Sequence, residues 1–438
     1  LIVGAIVSVL AEAFIKRGKR FSVQFAIAVI TMAVALGLVC FDWSSQPGAA
    51  VMGALSIDGP TRVVWMLLLS FGLLSALLYG ERRIGGGASS FAPQGHTVPG
   101  SLAERQAIAA RQENSEVFAL LEMSLFGMLV FSAANDLLTM FVALEILSLP
   151  LYVMCALARR RRLLSQEAAL KYFMLGAMSS AFFLFGAALL YGYTGSFNFA
   201  LMDRSITLST ESIGLLLAGT ALVTSGVLRV LYVALGGARW DWQLVLVVIA
   251  LATMLIGAVV GLAQTDVKRL LAYSSIAHAG FIMIAVVGAV TAAGGLAAGE
   301  SGSVSSVMYY LAAYGLATLG AFAILPMVRR AGGEANGFDA WAGLGRRRPV
   351  LAVIMTLFLA SMAGIPLTGG FIGKLLAFSA GWQGGYAWLA VVAICLSVVT
   401  AAYYFRVVWI MFFKEPDMEV DVVKAGWPTW LVIIIGVV

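Results

Sequence analysis

The chain has 438 residues, of which 61% are hydrophobic and only 11% are charged, and its mean hydropathy is +0.96. A soluble domain carries about 25% charged residues, so this composition excludes a soluble globular protein and requires lipid around most of the chain. The net charge of +6 does not indicate nucleic-acid binding, because the basic residues stand in short loops between apolar runs.

Apolar runs recur from one end of the chain to the other, and each is long enough for a helix to cross a hydrocarbon core of about 30 Å. The runs are too long and continuous for the strands of a barrel, so we expect an α-helical bundle. The predicted spans lie near residues 1–15, 21–41, 61–80, 115–134, 137–157, 166–193, 212–226, 242–263, 270–290, 304–328, 350–383, 386–412 and 427–438.

Basic residues give these spans an orientation. Clusters at 16–20, 82–83 and 159–162 follow the first, third and fifth spans and fall on the same side of the membrane. The short loops on the opposite side carry almost no positive charge, so the positive-inside rule makes the basic side cytoplasmic.

The same rule predicts one more span in the second half of the chain. A single helix over 212–235 would place every later basic cluster outside, whereas an added span returns all of them to the cytoplasm. Because the stretch 227–235 is too short for that helix, we expect residues to be missing at the Gly226–Val227 junction. The prediction is then an all-α polytopic membrane protein with about 14 transmembrane helices.

Few residues outside the spans suggest chemistry. The longest polar stretch, 85–114, begins with a flexible Gly/Ser/Pro-rich segment and carries no catalytic motif. Three cysteines lie far apart inside apolar runs, and no CxxC or HxxxH spacing occurs. We therefore expect no metal, haem or iron–sulfur site in this chain.

Ionisable residues inside a span are functional candidates, because a charge in hydrocarbon costs about 2.5 kcal/mol or more. Glu145 stands near the middle of the 137–157 span, and Pro150 frees a backbone carbonyl nearby. A carboxyl group held away from water can exchange a proton near neutral pH. A structural ion pair with a lysine of a neighbouring helix is the alternative.

Lys171 lies inside the sixth predicted span, with Glu167 one turn earlier on the same helix face. Two interpretations stand. The pair is a surface i,i+4 ion pair contributing a few tenths of a kcal/mol, or Lys171 faces Glu145 across the helix boundary.

His278 lies ten residues beyond Lys268, about 15 Å deeper along a helix. Lys268 stands at the cytoplasmic mouth, where lysine side chains often extend to the interface. His278 has hydroxyl-bearing neighbours within two turns, and imidazole titrates near physiological pH. We expect a proton-relay role for His278, with an ordinary buried histidine as the alternative.

Lys374 follows the segment GIPLTGGFIG at 364–373, inside an apolar run too long for one regular helix. Its proline and glycines predict a helix broken in mid-membrane, where transporters build ion sites from freed backbone groups. A lysine desolvated there can exchange protons. A plain hinge with an incidental lysine is the alternative. Together these residues favour proton or cation transport.

Five segments carry a family resemblance: ANDLLTM at 134–140, ALEILSLPLY at 143–152, EAALKYFMLGAMSS at 167–180, QTDVKRLLAYSSIAHAG at 264–280 and AGIPLTGGFIGK at 363–374. At these motifs the sequence resembles subunit N of NADH–quinone oxidoreductase (respiratory complex I), the counterpart of mitochondrial subunit 2. That subunit belongs to the wider family of antiporter-like subunits. The match runs from about residue 118 to 413.

The resemblance implies two inverted five-helix repeats, each with a broken helix, forming half-channels joined by a polar axis. Glu145, Lys171, Lys268 and Lys374 match the family's intramembrane glutamate and lysines, and we expect protons to pass by way of His278 to Lys374. It implies a proton-translocating subunit of the bacterial inner membrane that couples quinone reduction to pumping and binds no cofactor itself. Partner subunits would carry FMN, the iron–sulfur clusters and the quinone, and would include an adjacent antiporter-like subunit and small membrane subunits.

The resemblance also implies a domain order. We expect a three-helix segment with a cytoplasmic loop at 1–114, a first antiporter-like repeat at 115–237, a second at 238–413, and a truncated C-terminal helix at 414–438. The family's first broken helix would fall at the Gly226–Val227 junction, where we expect residues to be missing.

Two alternatives to this function remain. One is a subunit of a multi-subunit sodium/proton antiporter, which would have no redox partner. The other is a structural membrane scaffold, in which Lys374→Ala would leave turnover and pumping intact.

Overall fold

The structure is a computed structural model that describes residues 1–82, 91, 102, 106, 114–158, 162–208, 239–289, 302–330, 333–415 and 420–437. The chain divides into two compact units, Leu1–Arg229 and Val230–Val438. The predicted span at 212–226, the Gly226–Val227 junction and most of the 85–114 loop lie outside the described residues.

The first unit is a bundle of apolar helices. Its helices are α1 (Ile2–Phe14), α2 (Arg17–Phe41), α3 (Gly59–Tyr79), α4 (Val117–Ala133), α5 (Leu137–Leu157), α6 (Arg162–Thr194) and α7 (Phe199–Leu208). Strands β1 (Gly48–Ala50) and β2 (Leu55–Ile57) form a short antiparallel hairpin between α2 and α3. Helices α1 to α4 pack around a core of buried aliphatic and aromatic side chains.

Aspartates set the starts of two of these helices. Asp58 accepts a hydrogen bond from the Thr61 amide at 3.0 Å, and Asp136 accepts one from the Thr139 amide at 2.7 Å. A side-chain oxygen at this position satisfies one of the free amides of the first turn. Helix α5 therefore begins at Leu137, where the sequence predicts it.

The second unit is also mainly helical. Its helices are α8 (Arg239–Leu262), α9 (Val267–Val287), α10 (Ser303–Ile324), α11 (Phe338–Trp341), α12 (Leu344–Arg347), α13 (Pro349–Ala363), α14 (Gly369–Gln383), α15 (Ala387–Phe413) and α16 (Trp427–Val437). Three short strands, β3 (Val328–Arg330), β4 (Gly333–Glu334) and β5 (Val420–Val422), form a small antiparallel sheet in the order β4-β3-β5. The composition and hydropathy did not predict these strands, because each has only two or three residues.

The apolar run at 350–383 is broken, as predicted. Helix α13 ends at Ala363, and the next residue, Gly364, has a φ of +82°, a left-handed conformation that favours glycine. Helix α14 begins after Thr368, whose side chain accepts from the Phe371 amide. Pro366 cannot donate a backbone hydrogen bond, so it does not continue α13. The break leaves the Ala363 carbonyl able to accept a hydrogen bond from a side chain of α14.

Among the described residues, eight helical segments are long and apolar enough to cross a membrane. They are Gly18–Ser44, Gly59–Tyr79, Leu137–Leu157, Ser165–Thr194, Trp242–Leu262, Val267–Val287, Ser303–Met327 and Ala387–Phe413. Shorter apolar helices are Ile2–Phe14, Val117–Ala133, Pro349–Ala363 and Trp427–Val437. The predicted class of a helical, membrane-spanning protein is confirmed, whereas the total of about 14 spans and the inverted repeats stay predictions.

Helices α9 and α14 touch through glycines at their C-terminal ends. Gly288 follows α9 and Gly384 follows α14, and a Cβ atom on either residue would overlap with backbone atoms of the other segment. This backbone contact holds the ends of the two helices together.

Candidate functional site

Lys374 lies in the second turn of α14, and its side chain is buried, with 5% exposed. Its Nζ atom donates to the Ala363 carbonyl and to the Ser397 hydroxyl, each at 2.8 Å. The Ala363 carbonyl is the last of α13, at the negative end of that helix's dipole. The helix break therefore supplies a polar partner for a lysine that would otherwise face apolar side chains.

Gly364 allows the lysine to come this close. A Cβ atom at Gly364 would lie 2.8 Å from Lys374 Cδ, and the φ of +82° disfavours any other residue. Within the described part of the chain, no carboxylate lies within ion-pair distance of Lys374. Its two partners are neutral groups, so its positive charge is not balanced by a fixed negative charge there.

His278, on α9, is held by tyrosine hydroxyls at both ring nitrogens. The Tyr310 hydroxyl lies 2.8 Å from Nδ1, and the Tyr404 hydroxyl lies 3.2 Å from Nε2. The ring of Tyr314 stacks on the imidazole, with 4.0 Å between the ring centroids. His278 is 2% exposed, so tertiary contacts fix both its orientation and its hydrogen-bond partners.

The hydroxyl groups around His278 form a continuous chain. Ser274 contacts the hydroxyls of Tyr404 and Tyr314, the latter at 3.3 Å. Tyr314 in turn donates to Ser275 at 2.9 Å. A hydroxyl can accept one proton and donate another, so this group can pass a proton between its members.

Two cavities adjoin these residues. One of about 10 Å³, roughly the volume that one water needs, is lined by His278, Tyr310, Tyr314, Ser361 and Gly370, among others. A second of about 620 Å³ lies beside Lys374 and Ser397 and is otherwise lined mostly by apolar side chains of α13, α14 and α15. The small cavity lies between the histidine group and residues on either side of the helix break, Ser361 and Gly370.

Phe281 stands between the two polar groups. Its ring centroid is 5.4 Å from Lys374 Nζ and 5.6 Å from the His278 ring centroid, and the side chain is fully buried. The ring face attracts a cation, but it has no group that can transfer a proton. Phe281 thus contacts both groups without joining them.

The structure places Lys268 apart from this group. It is exposed at the start of α9, about 15 Å along the helix from His278. The helix start is set by Asp266, which accepts from the Arg269 amide at 3.0 Å. The location of Lys268 at the mouth of the membrane stays a prediction.

Lys171 and Glu145 belong to the first unit. Lys171 Nζ lies 2.5 Å from Glu167 Oε1, and the two side chains are 69% and 56% exposed. The structure therefore shows the i,i+4 pair that was one of the two interpretations of Lys171. Glu145 is half-buried on α5, and its backbone carbonyl accepts from the Ser148 hydroxyl at 3.4 Å.

The sequence interpretation missed the tyrosines of the site. Tyr310 and Tyr314 are four residues apart on α10, so they lie on one helix face, and Tyr404 comes from α15. The i,i+4 spacing was visible in the sequence. Nothing in the sequence, however, indicates that these helices meet at His278.

An apolar helical bundle with a broken helix, a buried lysine and a buried histidine–tyrosine group is typical of ion-transporting membrane proteins. The family model of the NADH:quinone oxidoreductase/Mrp antiporter transmembrane region matches residues 134–228 and 208–400. The chain therefore belongs to this antiporter-type class.

The names of the curated relatives identify a family within this antiporter-type class. NADH-quinone oxidoreductase subunit N of Cutibacterium acnes is 46% identical over 479 aligned positions, covering 99% of this chain and 89% of the relative. The subunit N of Salinispora arenicola is 42% identical, covering 100% of this chain and 92% of the relative. The chain belongs to the subunit N family of the NADH-quinone oxidoreductases.

Solved structures agree with this family. A chain of respiratory complex I from Thermus thermophilus with bound aureothin has a TM-score of 0.72 at 28% identity, covering 99% of this chain and 94% of its own length. A chain of the Mrp complex from Dietzia sp. has a TM-score of 0.70 at 19% identity, which shows a shared fold alone. The relatives at 41–46% identity are named subunit N, so the antiporter alternative is disfavoured.

Proposed function

We propose that the chain translocates protons as a membrane-arm subunit of a bacterial NADH-quinone oxidoreductase, and that Lys374 and His278 carry the proton through its second unit. The observation that carries this proposal is the buried Lys374, whose partners are a carbonyl and a hydroxyl. A permanent charge there is costly. A lysine that gains and loses its proton carries the charge for only part of the time, so the free-energy cost is lower.

The geometry supports a specific local path. A proton on His278 Nε2 can reach the Ser274–Tyr314–Ser275 hydroxyls through the Tyr404 hydroxyl. The small cavity beside Tyr310 offers room for a water toward Ser361 and the helix break. Lys374 then receives the proton and sits beside the larger cavity. The order of these steps is part of the proposal.

The roles of Glu145, Lys171 and Lys268 are proposed on the resemblance. Glu145 would set the charge state of Lys171 and of central lysines in the missing segment, and Lys268 would stand at the entrance to the second unit. A neighbouring charge at about 4–6 Å changes the proton affinity of a lysine enough to move its proton. In the structure Lys171 pairs with Glu167, so this coupling requires Lys171 to exchange one carboxylate for another.

Redox chemistry is assigned to partner subunits. We propose that FMN, the iron–sulfur clusters and the quinone are bound there, and that this subunit contacts an adjacent antiporter-like subunit and small membrane subunits. The likeness to a chain of respiratory complex I supports a place in a multi-subunit membrane complex. The chain would thus serve the enzyme as a non-redox, multi-pass subunit of the inner membrane.

Two observations support missing residues at the Gly226–Val227 junction. The alignment with the Cutibacterium relative has 479 positions, more than the 438 residues of the chain, so that relative has residues inside the aligned span that this sequence lacks. The family model also matches in two pieces that overlap at 208–228. We propose that the first broken helix and its lysines belong there.

Lys374→Met tests the central assignment. The variant enzyme, assembled and reconstituted in sealed vesicles, is followed for NADH–quinone turnover and for proton uptake in the same sample. We expect loss of pumping, alone or with turnover, because methionine keeps the length of the side chain but cannot carry a proton. Lys414→Met, at an exposed lysine after α15, is the matched control and should pump normally. Normal turnover with normal pumping in assembled Lys374→Met would show that Lys374 is structural.

A further inference from the structure

A second buried ionisable group lies far in sequence from the candidate site. Glu122, on α4, is fully buried, and neither of its carboxyl oxygens has a hydrogen-bond partner among the described residues. It was not among the candidates that the sequence suggested. An ionised carboxylate without a partner in an apolar bundle is strongly destabilising. This carboxyl group is therefore best accommodated with a proton bound.

The residues around Glu122 provide space and hydroxyl groups for its carboxyl group. On α1, Gly4 has no side chain, and a Cβ atom there would lie 2.9 Å from Glu122 Oε1 and 2.7 Å from Thr31 Oγ1. Ser8, one turn further along α1, is also fully buried, and its hydroxyl has no partner among the described residues. The hydroxyls of Ser8 and Thr31 face the carboxyl group.

A polar column leads from this pocket to the basic end of α1 and α2. Gln24, 1% exposed, donates to the Ser8 carbonyl at 2.6 Å and to Glu12 Oε2 at 3.1 Å. Ser115, just before α4, donates to the same Glu12 oxygen at 2.6 Å. Arg20 pairs with Glu12 at 3.0 Å, with both side chains partly exposed.

The spacing of these residues places them along one column. Gly4, Ser8 and Glu12 are four residues apart on one face of α1, and Arg20, Gln24 and Thr31 share a face of α2. Ser115 and Glu122 are seven residues apart, about 10 Å along the chain at helical rise. The column therefore extends about two helical turns inward from the end where the basic cluster 16–20 lies.

We propose that Glu122 is a proton-binding site of the N-terminal bundle, loaded from the basic side of the membrane through Glu12 and Ser8. In the loading step, a hydronium or the protonated Glu12 carboxyl loses an O–H bond. The Ser8 hydroxyl accepts a proton and donates its own, and a new O–H bond forms on the Glu122 carboxylate. Gln24 orients Glu12 and Ser8 through its two hydrogen bonds. No electron is transferred.

Infrared difference spectroscopy of the assembled enzyme in its membrane tests the proposal. The carbonyl stretch of a protonated carboxyl group is recorded between samples equilibrated at low and high pH, in H2O and in D2O. We expect a band that shifts in D2O and is lost in Glu122→Gln, because glutamine keeps the shape but has no acidic proton. Glu116→Gln, at an exposed glutamate that begins the same helix, is the matched control and should retain the band.

Ser8→Ala provides a second measurement that keeps Glu122 in place. We expect the band to remain, to shift in frequency and to exchange with D2O several-fold more slowly, because the relaying hydroxyl is gone. A spectrum of Glu122→Gln identical to the parent would overturn the proposal, as would a carboxylate band that responds to sodium ions and not to pH. Because the site rests on residues separate from Lys374, either result leaves the proposed pumping route to be decided by its own test.

Discussion

At the scale of single residues, Phe281 has the position of a barrier. Its ring contacts Lys374 and His278, and both neighbours can hold a proton. Protons cross proteins along hydrogen-bonded groups, and a benzyl side chain interrupts such a path. A ring in this position keeps the two sites separate until another path, such as the small cavity beside Tyr310, is used.

Phe281→Ala should therefore allow protons to leak through the enzyme. Removing the ring opens space between the two groups, and truncation of a buried phenylalanine also costs about 3–5 kcal/mol of stability. We expect fewer protons pumped per NADH and a faster decay of the proton gradient in sealed vesicles. Phe281→Leu keeps most of the apolar volume and should remain coupled. Equal coupling in the two variants would contradict a barrier role.

Tyr310→Phe should slow proton transfer without disturbing the packing. The variant removes only the hydroxyl that lies 2.8 Å from His278 Nδ1. A hydrogen bond of about 1 kcal/mol corresponds to a roughly fivefold change in rate. We expect pumping to fall by about that factor, with a larger solvent isotope effect. Tyr309→Phe, at the neighbouring exposed tyrosine, is the control. If both variants pump alike, the Tyr310 hydroxyl has no part in the path.

At the scale of elements, the break between α13 and α14 is the feature that the sequence predicts best. Pro366 and the glycines around it act through local backbone preferences, which do not depend on the rest of the fold. The start of α5 was predictable for the same reason, since Asp136 caps it locally. The partners of Lys374 were not predictable, because Ser397 comes from α15 and its approach depends on helix packing.

Gly364→Ala tests what this break does. Alanine in a left-handed conformation costs about 1–2 kcal/mol, and its Cβ would also displace the Lys374 side chain. We expect pumping to be lost in assembled enzyme. Gly385→Ala has the same backbone penalty, at a φ of +89°, but its Cβ meets no atom within 4 Å. It should therefore pump nearly normally. Similar losses in the two variants would indicate backbone strain as the cause.

At the scale of the whole molecule, the segment that we propose to be missing between Gly226 and Val227 has a direct chemical test. Digestion of the native subunit followed by mass spectrometry should yield no peptide in which Gly226 is joined to Val227. We expect peptides that begin within 209–226 and continue into residues absent from this sequence, because the related subunit has additional residues inside the aligned span. A contiguous peptide across the junction would show that the chain lacks the first broken helix.

The class of the molecule followed from composition and hydropathy, because lipid requires long apolar helices whatever their packing. The candidate site could be predicted from the sequence only in part. Lys374 and His278 stood out as single ionisable residues in apolar runs, whereas Tyr404 and Glu122 did not. Tyr404 is significant only through its distance from His278, and Glu122 only through its lack of partners. Both properties arise when helices distant in sequence come together.

The glycine contact between α9 and α14 has a mechanical consequence. His278 lies ten residues before Gly288, and Lys374 lies ten residues before Gly384, so each is about 15 Å from the point where the helices touch. The glycine contact can act as a hinge between the two helices, and the two ionisable groups lie at equal distances from it along the helix axes. Because helical rise sets this distance at about 15 Å, an increase of about 4° in the angle between the two helices separates the groups by about 1 Å. A small force on either helix would thus change the distance over which the proposed proton transfer between His278 and Lys374 takes place.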